Sequence, residues 1–365
     1  MRRRGKRLLA LALAGVMAAS ALTGCEKIED TKAASENTTA AKAPDDAKAG
    51  EKSGEGETEK EAAKDTAAGE KTAKATPEEQ WAVDAGLYED ETSDELYKKA
   101  LDEEGGKVAR IANHEGFDLP KVDTMAEIGK SRDISRAYEA GSVIGEYLEE
   151  LGINLDLAPD ADVLTNPDNT VVLDRSFGSD PVLVTQMTKA YMKGLEEHHV
   201  YGTPKHFPGH GATQGDSHKG FAYTYKTWDE LEQAELVPFA GLIQDNTPFI
   251  MAGHISMPRI TGDDTPSSLS PQVLTGYLRE TMGYKGIIIT DALNMGAVQD
   301  NYPPDQTAVM ALQAGADLLL MPADFREAYG GVLNAVKTGE LTEERIDQSL
   351  TRILGLKLTL PRHKR

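Results

Sequence analysis

The chain has 365 residues and a formal net charge of −21, and its length suffices for one large domain or two of ordinary size. Its acidic surplus would repel a phosphate backbone, and no basic patch with interleaved aromatic residues is present, so nucleic acid is excluded as a partner. A single cysteine excludes an internal disulfide framework.

Residues 1–24 have the layout of a secretory signal peptide. Five basic residues precede an apolar run from Leu8 to about Leu22, which is short and rich in alanine for a membrane span. The sequence Leu-Thr-Gly-Cys that ends at Cys25 resembles the lipobox of bacterial lipoproteins, in which the cysteine is lipidated. We therefore expect export and anchoring through Cys25 to the outer face of the cell membrane or another bacterial envelope membrane. The alternative is an ordinary signal peptide followed by a chance cysteine.

Residues 25–80 are predicted to form a disordered tether. Between positions 26 and 80 the only large apolar side chain is Ile28, so this segment cannot bury enough apolar surface to offset the entropy of ordering it. A flexible coil of this length reaches on the order of 40 Å. Residues 81–365 are expected to fold as one large globular domain.

The globular part alternates helical and strand-like segments. Helices are predicted at 135–151, 181–197, from the Thr227 capping box to Ile243, and at 271–282, 308–314 and 342–356. Strands are predicted at 153–157, 200–204, 248–252, 286–290 and 317–321. This alternation predicts β/α units and a parallel sheet.

Polar residues follow several of these strands, namely Asp156, Lys205 with His206, His254 and Asp291. In a parallel α/β barrel, chemistry is assembled at the carboxyl ends of the strands. A doubly wound open sheet is the alternative fold, but no G-x-G-x-x-G motif follows a first strand to support nucleotide binding.

The stretch 205–218, K-H-F-P-G-H-G-A-T-Q-G-D-S-H, holds three of the eight histidines. Metal binding is one interpretation, with His206, His210, Asp216 and His218 as ligands. The intervening Pro-Gly pair argues against the helix that would align the first two histidines.

Proton transfer is the interpretation that the spacing favours. Asp216 stands two residues before His218 in a loop that contains glycine. A carboxylate bonded to one ring nitrogen fixes the tautomer and raises the basicity of the other nitrogen, which suits general acid–base work. The remaining alternative is that these are ordinary histidines of a surface loop.

These motifs carry a resemblance to a known family. K-H-F-P-G-H-G followed by D-S-H resembles the signature of glycoside hydrolase family 3, in its β-N-acetylhexosaminidase branch. Segments 102–110, 157–167, 174–178, 286–295 and 314–322 resemble the same family in the same order. The resemblance covers about residues 100–360. It implies a (β/α)8 TIM-barrel-like catalytic domain that hydrolyses terminal β-linked N-acetylglucosamine residues, plausible substrates being cell-wall (peptidoglycan) fragments, without cofactor or metal.

The resemblance also implies roles for individual residues. Asp291 matches the nucleophile of a retaining double displacement, and His218, paired with Asp216, matches the acid–base group. Most retaining glycosidases use two carboxylates, so a histidine in this role is a departure of the branch. The positions that match contacts to the terminal sugar are Asp102, Arg110, Arg175, Lys205 and His206. His210 and His254 are left outside the catalytic set.

One departure from the family concerns the start of the barrel. Family members have two β/α units ahead of the segment that begins at Asp102, whereas only about twenty residues separate the tether from Asp102 here. The barrel is therefore expected to be incomplete at its N-terminal strands, and an open edge would favour self-association. Substitution by another segment, completion by a partner chain, and decay to a non-catalytic sugar-binding lipoprotein all remain open. A β-glucosidase or β-xylosidase of the same family is the enzymatic alternative, against which the Asp216–His218 pair argues.

Overall fold

The structure, a computed structural model, describes residues 120–359. The predicted signal peptide, the lipidation site Cys25, the tether, and two predicted sugar-binding residues, Asp102 and Arg110, lie outside this range. Between residues 120 and 359 the chain combines helices with short parallel strands, which confirms the mixed α/β class. In this part of the chain no helix has the length and apolar character needed to cross a membrane.

The described part contains short strands separated by helices. The strands are β1 Leu155–Asp156, β2 Tyr201–Gly202, β3 Ala222–Tyr223, β4 Phe249–Ala252, β5 Ile255–Ser256 and β6 Ile287–Thr290. The helices are α1 Met125–Ser131, α2 Ile134–Glu150, α3 Pro181–Glu196, α4 Trp228–Leu231, α5 Leu236–Gln244, α6 Pro258–Thr261, α7 Gly296–Gln299, α8 Pro304–Ala314, α9 Phe325–Thr338 and α10 Glu343–Lys357. A π-helix, Gln272–Thr281, precedes β6, and single 3₁₀ turns occur at His210–Ala212 and Ser267–Leu269.

Five extended segments lie side by side in chain order, and we call them the row. They contain, in turn, β1, β2 with Phe207, β4, β6 and Leu318. Each pairing between neighbours is parallel. Strand β1 pairs with β2, and β4 pairs with β6. A bridge between Phe207 and Ala252 joins the second segment to the third, and a bridge between Ile289 and Leu318 joins the fourth to the fifth. This row places the carboxyl ends of successive segments at the same edge, where the polar residues were expected.

The row differs from the sequence prediction in the extent of its strands. The predicted strand at 317–321 forms a single bridge at Leu318 and is not a regular strand. The two pairings β1–β2 and β3–β5 are only two residues long. Closure of the row into a barrel is not seen among residues 120–359.

All six predicted helices are present, although the one at 271–282 is a π-helix, and α1, the short helices α6 and α7, and α9 were not predicted. The Thr227 capping box is present, but α4 ends at Leu231 and a separate helix, α5, begins at Leu236. Helix α9 was missed, although Asp324 caps it by accepting a hydrogen bond from the Glu327 N–H. Its apolar residues at helical spacing and its Asp cap were the available signal.

Helices α2 and α3 pack closely because glycines face each other across their contact. A Cβ added at Gly141 would lie 2.0 Å from the Tyr191 carbonyl oxygen, and one at Gly194 would lie 2.3 Å from the Tyr138 carbonyl oxygen. The helix backbones therefore touch at these positions, which fixes α3 ahead of β2.

The far side of the row is held by the buried carboxylate of Asp317. It forms ion pairs with Arg279 of the π-helix and, at 2.9 Å, with Arg352 of α10. It also accepts hydrogen bonds from the Ser349 hydroxyl (2.6 Å) and from the Ile288 backbone N–H (3.0 Å). A third guanidinium, that of Arg345, lies 3.8 Å away. One carboxylate thus connects β6 to two helices.

We expect Asp317→Asn to lower the free energy of unfolding by roughly 3–5 kcal/mol, because it leaves three partly buried guanidinium groups without their buried counter-charge. Urea denaturation followed by circular dichroism measures the change. Asp347→Asn, an exposed aspartate on α10, serves as the control. Equal stability of the two variants would show that the Asp317 network does not hold the fold.

Candidate active site

Asp291 follows directly on β6 and is 5 % exposed. Its backbone N–H donates to the Ala252 carbonyl at 2.8 Å, which ties it to the end of β4. Its Oδ1 accepts a hydrogen bond from the Ala292 N–H, also at 2.8 Å. The carboxylate is therefore fixed at the carboxyl edge of the row.

The pKa of Asp291 is held below its usual value. Burial acts to raise this pKa, but the charges of His206 and His254 act against burial. The Ala292 N–H and the Lys205 ammonium lower the pKa further. Because burial keeps both His206 and His254 neutral at pH 7, the Ala292 N–H and the Lys205 ammonium are the groups that stabilise the carboxylate there. Asp291 is thus ionised at neutral pH.

His206 lies between two carboxylates. Its Nε2 is 3.8 Å from Asp291 Oδ2, and its Nδ1 is 2.8 Å from Asp162 Oδ2. Burial lowers the pKa of His206 to about 4 and raises the pKa of Asp162 to about 6. At pH 7 the imidazole is therefore neutral and Asp162 is ionised. The ring proton is on Nδ1, which donates a hydrogen bond to the Asp162 carboxylate.

Lys205 and Arg175 share a buried carboxylate that the sequence analysis did not single out. Asp160 lies 3.8 Å from Lys205 Nζ and 3.6 Å from Arg175 Nε. Its Oδ2 accepts no hydrogen bond, although Asp160 is only 3 % exposed. The signal was available, since Asp160 and Asp162 follow β1 within a few residues.

The oxygens of Asp160 and Asp162 and a ring nitrogen of His206 lie within 4.8 Å of one another. This set differs from the four ligands considered from the sequence, of which it contains only His206. Two cations already lie against Asp160, and the His206 Nδ1–H is already bonded to Asp162. The arrangement is therefore that of an ion-pair network, in which a metal ion would meet competing positive charge.

His210 has a structural environment. Its Nδ1 is 2.7 Å from the Thr213 hydroxyl and its Nε2 is 3.0 Å from the Ser217 hydroxyl. Its backbone N–H donates to Asp162 at 2.5 Å, and its carbonyl accepts from the Asn169 amide at 2.9 Å. Both ring nitrogens are thus used to hold the loop that joins the two predicted catalytic regions.

Gly209 allows this loop to approach α5. Its φ of +131° is unfavourable for other residues, and an added Cβ would lie 2.6 Å from the Cβ of Glu235. Glu235 is fully buried and pairs with Lys226. The Pro-Gly turn noted in the sequence is therefore a close contact between backbone and helix.

The predicted contact between Asp216 and His218 is present. His218 Nδ1 lies 2.9 Å from Asp216 Oδ1, which also accepts the backbone N–H of His218 at 3.0 Å. Unlike the buried Asp291, the His218 side chain is 47 % exposed. Its second ring nitrogen, Nε2, has no hydrogen-bond partner among residues 120–359 and is available for a ligand.

The loop that carries this pair contacts the segment after Asp291. The Ser217 carbonyl accepts a hydrogen bond from the Ala297 N–H at 3.1 Å, and a Cβ at Gly296 would lie 2.8 Å from the His218 carbonyl. His254 lies near both regions. Burial lowers its pKa, the charge of Asp291 raises it, and the charge of His218 lowers it. The structure therefore brings both predicted catalytic regions to one edge.

Comparison with known proteins identifies the family. Residues 98–356 match the model of the glycosyl hydrolase family 3 N-terminal domain, and the chain belongs to this family. It is 36 % identical over 283 residues to beta-hexosaminidase A of Pseudoalteromonas piscicida and 35 % identical over 266 residues to beta-hexosaminidase LpqI of Mycobacterium tuberculosis. The resemblance stated from the motifs is thus confirmed.

A solved structure supports the same assignment. A glycoside hydrolase family 3 β-N-acetylglucosaminidase from Paenibacillus sp. superposes with a TM-score of 0.64 at 34 % identity, over 75 % of this chain and 53 % of that one. The two sequence relatives are matched over 72 % and 71 % of this chain, and over 47 % and 67 % of their own lengths. The chain therefore spans about half to two thirds of the proteins it resembles.

We expect His210→Gln to change how stability depends on pH. In the folded protein burial lowers the pKa of His210 to about 4, against 6.5 for an exposed histidine. The unfolded chain therefore binds a proton first as the pH falls, and the stability that neutral His210 contributes above pH 6.5 is lost between pH 6.5 and 4. The loss amounts to roughly 3 kcal/mol.

At pH 7 the variant should be less stable than the wild type by about 1–3 kcal/mol, because two buried hydroxyl groups lose a partner. This difference in stability should shrink towards pH 4. The wild type loses stability there because the unfolded chain binds a proton at His210, and a glutamine does not titrate. Urea denaturation at pH 7, 5.5 and 4 tests both statements. Parallel pH curves for the two proteins would contradict the assignment of a neutral, structural His210.

Proposed function

We propose that the protein is a retaining glycosidase that hydrolyses terminal, non-reducing β-linked N-acetylglucosamine residues. The observation that carries this proposal is that two unlike groups lie at the same edge of the row, where the loop of His218 contacts the segment after Asp291. Asp291 is buried and ionised, and the Asp216–His218 pair is partly exposed with one ring nitrogen available. The names of the relatives from Pseudoalteromonas piscicida and Mycobacterium tuberculosis support the same substrate class.

In the first step Asp291 attacks the anomeric carbon, and the bond to the leaving oxygen breaks. His218 gives its proton to that oxygen, so the leaving group departs as a neutral alcohol. The product of this step is a glycosyl ester on Asp291. Asp216 holds the imidazole through Nδ1 and stabilises the charge on the protonated ring before the transfer.

In the second step a water molecule attacks the anomeric carbon and the ester bond to Asp291 breaks. His218, now neutral, takes a proton from the water and is ready for another cycle. Two inversions at the same carbon retain its configuration. A neutral His206 suits this sequence, because it leaves Asp291 as the nucleophile without a protonated imidazole that would compete for its lone pairs.

Binding of the terminal sugar is assigned to donors beside the nucleophile. Lys205, His206 and Arg175 lie around Asp160 and Asp291. Lys205 and Arg175 can donate to sugar hydroxyls and to the acetamido oxygen, and Nε2 of the neutral His206 can accept from a sugar hydroxyl. Asp102 and Arg110, outside the described residues, are proposed to complete this subsite. No cofactor or metal takes part in the proposed reaction.

The row of five parallel segments is proposed to be part of a TIM-like (β/α)8 barrel. Parallel neighbours in chain order, separated by helices, support this architecture. If the N-terminal strands are lacking, the edge at β1 is open and a second copy of the chain could pair there. Size-exclusion chromatography with light scattering would then give a dimer, and a monomer would argue against pairing.

The protein is further proposed to act at the cell surface as a lipoprotein anchored through Cys25. The basic, apolar and lipobox-like parts of residues 1–25 support this location. Fragments of the cell wall would then be the accessible substrates. Mass spectrometry of the membrane fraction tests the anchor, since lipidation at Cys25 changes the mass of the N-terminal peptide and Cys25→Ser prevents it.

Asp291→Asn should abolish hydrolysis of an aryl β-N-acetylglucosaminide, with a loss of about 10⁴-fold or more in kcat, because the amide cannot form the ester intermediate. Asp245→Asn, at a surface ion pair with Lys189, is the matched control and should keep wild-type activity. Circular dichroism of both variants verifies folding. A folded Asp291→Asn enzyme with full activity would refute the nucleophile.

Absence of turnover in the folded wild type, together with binding of N-acetylglucosamine, would instead indicate a sugar-binding protein. Equal turnover of aryl β-glucosides or β-xylosides would indicate the other branches of the family. The assay therefore separates the enzyme from its two rivals.

His218→Ala should depend on the leaving group. Substrates with a poor leaving group need the proton, so their kcat/KM should fall by about 10²- to 10⁴-fold. Activated aryl glycosides need little protonation and should be affected much less in the first step. A series of substrates with leaving groups of increasing pKa measures the slope. Equal losses across the series would exclude His218 as the acid.

A further inference from the structure

Three aromatic side chains form a surface feature next to the proposed acid–base loop. Phe221, Tyr223 and Tyr225, here called the aromatic ledge, alternate along the extended segment around β3. The residues between them, Ala222 and Thr224, are buried at 0 % and 3 % exposure. The three rings therefore share the outer face of the segment, since side chains alternate along a strand.

The rings contact one another and leave a face open. The Phe221 and Tyr223 ring centroids lie 6.0 Å apart in an edge-on arrangement. Those of Tyr223 and Tyr225 also lie 6.0 Å apart, with an angle of 8° between the planes. Tyr225 is 55 % exposed, which makes it one of the most exposed large apolar side chains of the described part.

The ledge and the acid–base loop are one structural unit. Gln214 and Tyr223 exchange two backbone hydrogen bonds of 2.9 Å, which close the loop that contains Asp216 and His218. Only two residues separate His218 from Phe221. The position of the ledge relative to the acid–base pair is therefore fixed by the backbone.

The ledge is also supported from below. Strand β3 pairs in parallel with β5, and the Thr224 N–H donates to the Ser256 carbonyl at 3.0 Å. Arg259 donates to the Tyr225 carbonyl at 2.9 Å and pairs with Glu230 at 3.3 Å. An exposed aromatic surface held this firmly costs little conformational entropy when a ligand covers it.

We infer that the aromatic ledge is a subsite for the leaving-group side of the substrate, and that it takes the sugar rings beyond the cleaved bond. This inference rests on the proposed function. The oxygen that His218 protonates belongs to the leaving group, so the leaving group has to lie beside the loop that carries His218. The ledge continues from that loop.

The chemistry of the ledge fits a saccharide. One face of a pyranose ring presents mainly C–H groups, which pack on the negative face of an aromatic ring while the hydroxyl groups stay in water. Contiguous exposed apolar patches mark ligand-binding sites, whereas single exposed apolar residues do not. The ledge therefore selects an oligosaccharide over a substrate with a small leaving group.

The test compares the trimer of N-acetylglucosamine, here called chitotriose, with methyl β-N-acetylglucosaminide. Both substrates release an alcohol that needs a proton, but only chitotriose has sugar rings that can contact the ledge. Tyr225→Ala should lower the ratio of kcat/KM for chitotriose to that for the methyl glycoside by about three- to tenfold. Tyr225→Phe keeps the ring and should keep the ratio. Leu358→Ala, an exposed apolar residue at the end of α10, is the control for nonspecific effects.

Tyr223→Ala is the second variant and should lower the ratio in the same direction. A wild-type ratio in both alanine variants, with both substrates hydrolysed, would overturn the subsite and leave the proposed function standing. If the wild type hydrolyses neither substrate, the proposed function fails. Calorimetry with chitotetraose then decides the inference, because weaker binding by Tyr225→Ala supports the ledge and equal binding overturns it.

Discussion

The site depends on a buried series of carboxylate, imidazole and carboxylate formed by Asp162, His206 and Asp291. Burying two carboxylates so close together is costly, and the cost is reduced because each has its own donors. Asp162 accepts the imidazole Nδ1–H and the backbone N–H of His210, whereas Asp291 accepts the N–H of Ala292. The imidazole between them stays neutral because burial lowers its pKa to about 4. Asp291, the proposed nucleophile, is thus ionised without a cation directly bonded to it.

The two halves of the proposed chemistry have opposite surroundings for a physical reason. A nucleophile gains from fixed geometry, and Asp291 is held by backbone contacts to the ends of β4 and β6. An acid–base group has to meet leaving groups and water in turn, and His218 stands half-exposed on a loop. His210 connects the halves, since its backbone N–H binds Asp162 and its ring binds Ser217, the neighbour of both Asp216 and His218. The histidine that the motif analysis set aside therefore positions the two regions relative to each other.

Much of this arrangement was predictable from the sequence. The helical periods of α2, α3 and α10 and the apolar runs of β4 and β6 gave those elements to within a few residues, and the position of Asp291 after an apolar run gave its place at the edge. The contact between Asp216 and His218 was predictable because a loop that contains glycine can bring two side chains only two residues apart together. Contacts between residues far apart in the sequence were not predictable. The spacing of Asp160 from Arg175 and Lys205, or of Asp162 from His206, is set by how segments pair across the row, which local patterns do not encode. The bounds of 317–321 failed for the same reason, since an apolar run there is buried whether or not it pairs regularly.

The same distinction explains why the aromatic ledge escaped the motif analysis. Its residues alternate as in any half-buried strand. A strand that packs its aromatic face on a core would have the same sequence pattern. Only the structure shows that Ala222 and Thr224 face inward, so that the rings face outward. Small inward side chains let β3 lie close against β5, and the large residues are left for the surface. The backbone of Tyr223 closes the loop of His218, whereas Asp291 is held by β4 and β6. A side-chain substitution in the ledge therefore need not move Asp291. The proposed leaving-group subsite and the proposed nucleophile therefore each have their own set of backbone contacts, so leaving-group preference can change without a change in the nucleophilic chemistry.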